Sequence, residues 1–165
     1  MKVLITGKNG QVGSCLVSQL IDIPFIDFLA LGRDELDITN AEQVNEVVNK
    51  YQPTIIINAA AYTAVDKAES EFGLANAINN VGPKNLAKAA SNVNAAILHI
   101  STDYVFAGNK DGLYTEGDEV NPQGVYGQTK LAGEQSVAQE CDAHIIFRTA
   151  WVFSDYGNNF APPIP

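Results

Sequence analysis

The chain has 165 residues, 46% of them hydrophobic, which suits one globular domain and is too apolar for disorder. Acids outnumber bases 19 to 10, and a net charge of -9 argues against a general nucleic-acid surface, which needs a basic face. Cys15 and Cys141 are too few for a disulfide framework, and His99 and His144 sit in apolar runs without metal-ligand spacing, so no metal site is expected.

The N-terminus enters an apolar strand pattern directly, without a signal peptide, and no apolar run is long enough to span a bilayer. The simplest expectation is a cytoplasmic protein without a membrane partner.

Residues 2–5 read as a strand. The run from Gly7 through Asn9, Gly10, Gln11 and Val12 to Gly13 comes next, and Val12, Leu16 and Leu20 then recur at helical spacing. Strand, glycines and helix come in the order a dinucleotide site requires. One glycine permits the tight turn, one lets backbone approach phosphate, and one lets helix pack on strand. The helix N-terminus offers amides and partial positive charge to a pyrophosphate. The spacing here is G-x-x-G-x-x-G, and as a lone triplet it is a weak signal.

Residues 28–31 read as a second strand, ending at Gly32, Arg33 and Asp34. A site for NAD would place an acid there for the ribose hydroxyl. Arg33 instead suits a 2′-phosphate, which favours NADPH over NADH. Thr39 with Glu42 resembles a capping box, and Val44, Val47, Val48 and Tyr51 form one helical face. Residues 54–58 read as a buried strand. Residues 64–92 read as mostly helical, with Ile78, Val81, Leu86 and Ala89 as apolar positions and Pro83 at a boundary or kink. Residues 95–100 form the next strand, residues 107–124 a loop rich in glycine and acids, and a helix runs from near Tyr126 to about Cys141. Residues 144–147 are the last clear strand.

Strands alternating with helices imply an α/β fold, a Rossmann-type doubly wound parallel sheet with helices on both faces. Residues 1–160 are expected to form one NAD(P)-binding domain. The tail over 161–165 contains three prolines and cannot continue a helix or a central strand.

Tyr126 and Lys130 are four apart and share a helical face. A phenol can protonate a carbonyl oxygen as hydride reaches carbon, but its ordinary pKa is near 10. A neighbouring ammonium lowers it, and a hydroxyl from a strand end, Thr102, can hold the carbonyl in place. Acid, tuner and orienter make a complete constellation for carbonyl reduction. The Y-x-x-x-K pattern alone is common by chance; its weight comes from lying behind the glycine turn and Thr102.

These residues resemble the extended short-chain dehydrogenases/reductases and, within them, the dTDP-4-dehydrorhamnose reductase family. The segments that carry the resemblance are TGKNGQVG over 6–13, LDIT over 36–39, INAAAYTAVDKAE over 57–69, STDYVF over 101–106, YGQTKLAGE over 126–134 and RTAWVF over 148–153. The resemblance implies NADPH- or NADH-dependent reduction of the 4-keto group of a dTDP-4-dehydro-6-deoxy-L-sugar to dTDP-L-rhamnose. It implies Tyr126 as proton donor, Lys130 as its tuner and ribose anchor, and Thr102 as carbonyl orienter. Asn58, Ala59, Ala60 and Ala61 would line the cofactor, with Asp37 and Ile38 near the adenine. Asp103, Tyr104 and Trp151 would meet the sugar. The partner is then a nucleotide sugar, and a homodimer stays open.

Two alternatives remain. Epimerases and dehydratases use the same apparatus. Dehydratases resembling this family place Asp-Glu after the threonine, whereas this chain has Asp103 then Tyr104, which favours plain reduction. A non-catalytic NADP-binding regulatory module is the other, and the intact Thr102, Tyr126 and Lys130 argue against it. The family pattern stops near residue 160, so a C-terminal substrate domain is expected to be absent. Little or no turnover is expected from this piece alone, because remote binding energy helps position the reacting centre.

Overall fold

The computed structural model describes residues 1–156; the tail read over 161–165 and the proposed boundary at 160 lie outside the described residues. Five strands form one parallel sheet: β1 (Lys2–Thr6), β2 (Asp27–Leu31), β3 (Ile55–Asn58), β4 (Ala96–Thr102) and β5 (His144–Thr149), in the order β2-β1-β3-β4-β5. The order reverses beside β1. Such a switch point opens a crevice at the carboxyl ends of the strands, where ligands of open α/β sheets bind.

The principal helices are α1 (Gln11–Leu20), α2 (Ala41–Tyr51), the short α3 (Val65–Ala68) and α4 (Phe72–Asn76), α5 (Gly82–Asn92) and α6 (Val125–Glu140). Right-handed crossovers put α1 on one face of the sheet and α2, α5 and α6 on the other. The three-helix face holds the core: Leu4, Ile56 and Ile97 of the strands meet Val44, Val48, Leu86 and Val137. The opposite face is thinner than the sequence pattern implies. Among the described residues only α1 crosses over it, and Ile145 and Phe147 of β5 are 56% and 50% exposed.

Two local expectations shift. The cap of α2 is Asn40, whose Oδ1 accepts from the amides of Glu42 and Gln43, both at 3.1 Å. Thr39 instead donates its hydroxyl to Asp37 Oδ1 at 2.7 Å, so the Thr39–Glu42 box does not form. The helix over 64–92 contains a π turn at Ala77–Val81. A π turn widens the helix locally and rotates the next turn relative to the last. Ile78 therefore lines a cleft and Val81 is 38% exposed, while Leu86 and Ala89 keep their core places. Pro83 follows Gly82 in the first turn of α5, where the π turn passes into that helix.

Candidate active site

The glycines divide the labour at the β1–α1 turn. Gly7 has φ +77°, and a Cβ there would meet the backbone of Ala59 and Ala60. A Cβ on Gly13 would overlap the carbonyl of Gly7, so its bareness lets α1 approach the turn. Gly10 has no such crowding. It caps α1 without a side-chain hydrogen bond, leaving the helix N-terminus accessible to an anion.

Above this turn lies a cleft of about 430 Å³. It is bordered by Gly7, Asn9 and Gly10, by Arg33, Asp37 and Ile38 after β2, and by Ala59, Ala60 and Ala61 after β3. Gln11, Val12 and Gly13 start α1 beside it rather than lining it; Gln11 and Gly13 are buried. Thr39, Tyr62, Thr63, Leu74 and Ala77 also border the cleft; the first three fall inside segments that carry the family resemblance, and no motif marks Leu74 or Ala77. The Asp37 carboxyl lies below its usual range, chiefly because the Thr39 hydroxyl and amide donate to it, with a smaller pull from Arg33. Bare glycine backbone at a helix N-terminus, an exposed Arg33 and an apolar wall together fit a phosphorylated dinucleotide.

Asn58 corrects one expectation: it does not line this cleft and is 0% exposed. Its Oδ1 accepts from Thr6 Oγ1 at 2.7 Å and from the Ala60 amide at 3.2 Å. Its Nδ2 therefore donates to His99 Nδ1 at 3.0 Å. Asn58 thus ties β1, β3 and β4 together and sets the loop that does line the cleft. His99 is held neutral, its pKa well below the ordinary value through burial and then the charge of Lys130. Asn79 in the π turn has a parallel task. It accepts the Tyr62 amide at 2.8 Å, and donates to the Tyr62 carbonyl at 3.1 Å and to Thr129 Oγ1 at 3.2 Å. Loop 59–62 is therefore anchored to α6.

A second cleft, of about 460 Å³, opens between the end of β4 and the start of α6, bordered by Asp103, Tyr104, Phe106, Gln123, Tyr126 and Trp151. Tyr104 and Tyr126 meet edge to face, ring centres 5.5 Å apart. Trp151 is 76% exposed, which places it on the cleft rim and not in the core. The helix carrying Tyr126 is fixed at its start by Glu69, whose carboxylate accepts the Val125 amide at 2.8 Å. Two glycines let α6 come close. A Cβ on Gly127 would overlap the Tyr104 carbonyl, and one on Gly133 the Asn79 carbonyl.

Thr102 ends β4, and Tyr126 and Lys130 lie one turn apart at the start of α6. Burial raises the Tyr126 phenol above its ordinary pKa, a hydrogen bond with the Thr102 side chain opposes that, and Asp103 and Tyr104 add to the rise. Lys130 is 2% exposed and donates to the Ile100 carbonyl at 2.7 Å. Burial lowers its pKa to about 8, against a raising pull from Glu134. The lowering of the phenol expected from Lys130 is not in place in this arrangement, because the ammonium is directed to the β4 backbone. Among the described residues no cluster of His, Cys, Asp and Glu suits a metal ion, and no helix is long and apolar enough to cross a membrane.

The family model for the RmlD substrate binding domain matches residues 1–164. The chain belongs to this family. It is 48% identical over 159 residues to the dTDP-4-dehydrorhamnose reductase of Aggregatibacter actinomycetemcomitans, covering 96% of this chain and 54% of that protein. Among solved structures, the dTDP-4-dehydrorhamnose reductase of Clostridium acetobutylicum ATCC 824 superposes with a TM-score of 0.94 at 50% identity, over 97% of this chain and 56% of that one. The enzyme from Bacillus anthracis str. Ames, solved in complex with NADP, gives 0.94 at 45% identity, over 96% and 56%. This RmlD-family chain therefore spans about half the length of the relatives it matches.

Proposed function

We propose that this chain is the dinucleotide-binding and proton-donating part of an NADPH-dependent reductase of a 4-keto dTDP-deoxy sugar, giving dTDP-L-rhamnose. Residues 1–160 would form that NAD(P)-binding unit. The observation that carries the reading is Tyr126 at the border of one cleft, with Thr102 at the end of β4 and Lys130 one turn along α6, beside a glycine-built cradle. The names of the RmlD-family relatives, and the NADP in one of them, support it.

NADPH, when bound, supplies the hydride. Gly7, Asn9, Gly10 and the start of α1 would hold its pyrophosphate, Arg33 its 2′-phosphate, and Ala59 to Ala61 its apolar edge. The Thr102 hydroxyl holds the substrate carbonyl oxygen. Tyr126, protonated at neutral pH, would give its proton to the oxygen that becomes a hydroxyl. Lys130 would anchor the cofactor ribose. Asp103, Tyr104 and Trp151 would contact the sugar.

A single-turnover assay with the chain in excess over sugar and NADPH detects even a slow step. Slow NADPH oxidation is expected, falling by about 10²–10⁴ in Tyr126→Phe with NADPH binding unchanged. Oxidation that ignores Tyr126 overturns the proton-donor assignment, and a chain that fails to bind NADPH at all overturns the reductase reading.

A further inference from the structure

The stripe of α6 that carries Tyr126 and Lys130 has a third member. Glu134 lies one turn beyond Lys130 on the same face. It is 4% exposed, and a buried carboxylate needs strong partners. Ser101 Oγ donates to its Oε1 at 2.5 Å. Arg148 of β5 grips it with a fork, Nε to Oε1 at 3.0 Å and Nη2 to Oε2 at 2.7 Å. Ser101 and Arg148 are themselves opposite one another in the β4–β5 register.

Two successive residues at the end of β4 therefore each hold one rung of α6. The Ile100 carbonyl takes Lys130, and Ser101 takes Glu134. The groups facing Lys130 are few. From β4 come the neutral His99 ring and the Ile100 carbonyl; α6 itself supplies Glu134. Arg148 on β5 acts through Glu134, and Asp103 faces Tyr126. Glu134 is thus the carboxylate set to offset a desolvated ammonium, and Arg148 limits how much of its charge Lys130 feels.

We infer that Glu134, clamped by Ser101 and Arg148, is a positioning residue: it seats α6 against β4 and keeps the buried Lys130 amine protonated. This rests on reading Lys130 as part of the reductase site. A purely structural ion pair would hold β5 to α6 and leave the amine's titration alone.

The test is the titration midpoint of Lys130, monitored by NMR of the chain with carbon-13-labelled lysine, its signal identified by loss in Lys130→Met. Glu134→Gln keeps a hydrogen-bonding amide but removes the charge, and should move the midpoint down by about 1 pH unit. Arg148→Met frees the carboxylate and should move it up. Ser101→Ala keeps both charges and should leave it nearly unchanged. Opposite shifts for the first two variants support the inference; no shift, or shifts of one sign, overturn it. If Glu134→Gln does not fold, Arg148→Met decides alone, an upward shift supporting the inference and none overturning it. The titration needs no turnover, so its failure leaves the reductase reading standing. A failure to bind NADPH would remove that reading without altering the titration.

Discussion

At the β1–α1 turn, Gly7 and Gly13 shape a cleft by the side chains they lack. Across the sheet, between β4 and α6, Lys130, Glu134 and Arg148 shape a wall by the charges they bury. The first region is made of backbone, so its ligand must be recognised by amides and shape. The second is made of side chains whose protonation depends on one another. Asn58 and Asn79 connect the two: one fixes loop 59–61 to the strands, the other fixes Tyr62 to α6. Damage to the first region should appear as lost fold or lost affinity, and damage to the second as changed pH behaviour.

The largest stability effect should come from filling the backbone cradle. Gly13→Val sets a side chain against the Gly7 carbonyl, which cannot yield as a flexible side chain could. A loss of ~3 kcal/mol in thermal or urea unfolding is expected. A near-wild-type transition would show that α1 can shift away and that the cradle is loose. Next is Arg33→Ala, which removes an exposed cation and should weaken NADPH binding about tenfold, ~1.4 kcal/mol, while leaving NADH unchanged. Equal loss for both cofactors would remove the 2′-phosphate assignment. Glu69→Ala removes the cap on the Val125 amide, a bond between segments 56 residues apart. It should cost ~1 kcal/mol in unfolding, in keeping with the loss of a helix cap.

The smallest effect is on acid stability. His99 has a folded-state pKa well below 6.5, because burial disfavours its charged form. Below 6.5 the unfolded chain binds the proton and the folded chain does not. The contribution of His99 is therefore fully present above 6.5 and is lost as pH falls from there. Unfolding midpoints measured from pH 7 to pH 5 should drop less steeply in His99→Gln than in the parent; equal slopes would assign the acid sensitivity elsewhere.

All five strands are legible in the sequence because each is a short apolar run bounded by turn residues. The glycine triplet is legible because its members are neighbours in the chain. The cap of α2 falls one residue from the expected position, since Thr39 and Asn40 are both good caps and only the fold shows Thr39 committed to Asp37. The π turn is hidden, because an inserted residue changes helical phase without a compositional mark. The resemblance implies Asn58 as a cofactor contact; its hydrogen bonds to Thr6 and His99 depend on residues that only sheet order brings beside it. Glu69 and Glu134 stand in the sequence only as parts of motifs. Their tasks depend on Val125, Ser101 and Arg148, and no local pattern joins them.

The glycine cradle and the Tyr126–Lys130 wall have one purpose if they serve a single bound nicotinamide dinucleotide. A fluorescence titration of NADPH into the chain decides this. Saturable binding is expected, weakened in Arg33→Ala and retained in Tyr126→Phe. The absence of saturable binding up to about 1 mM would refute a shared dinucleotide site.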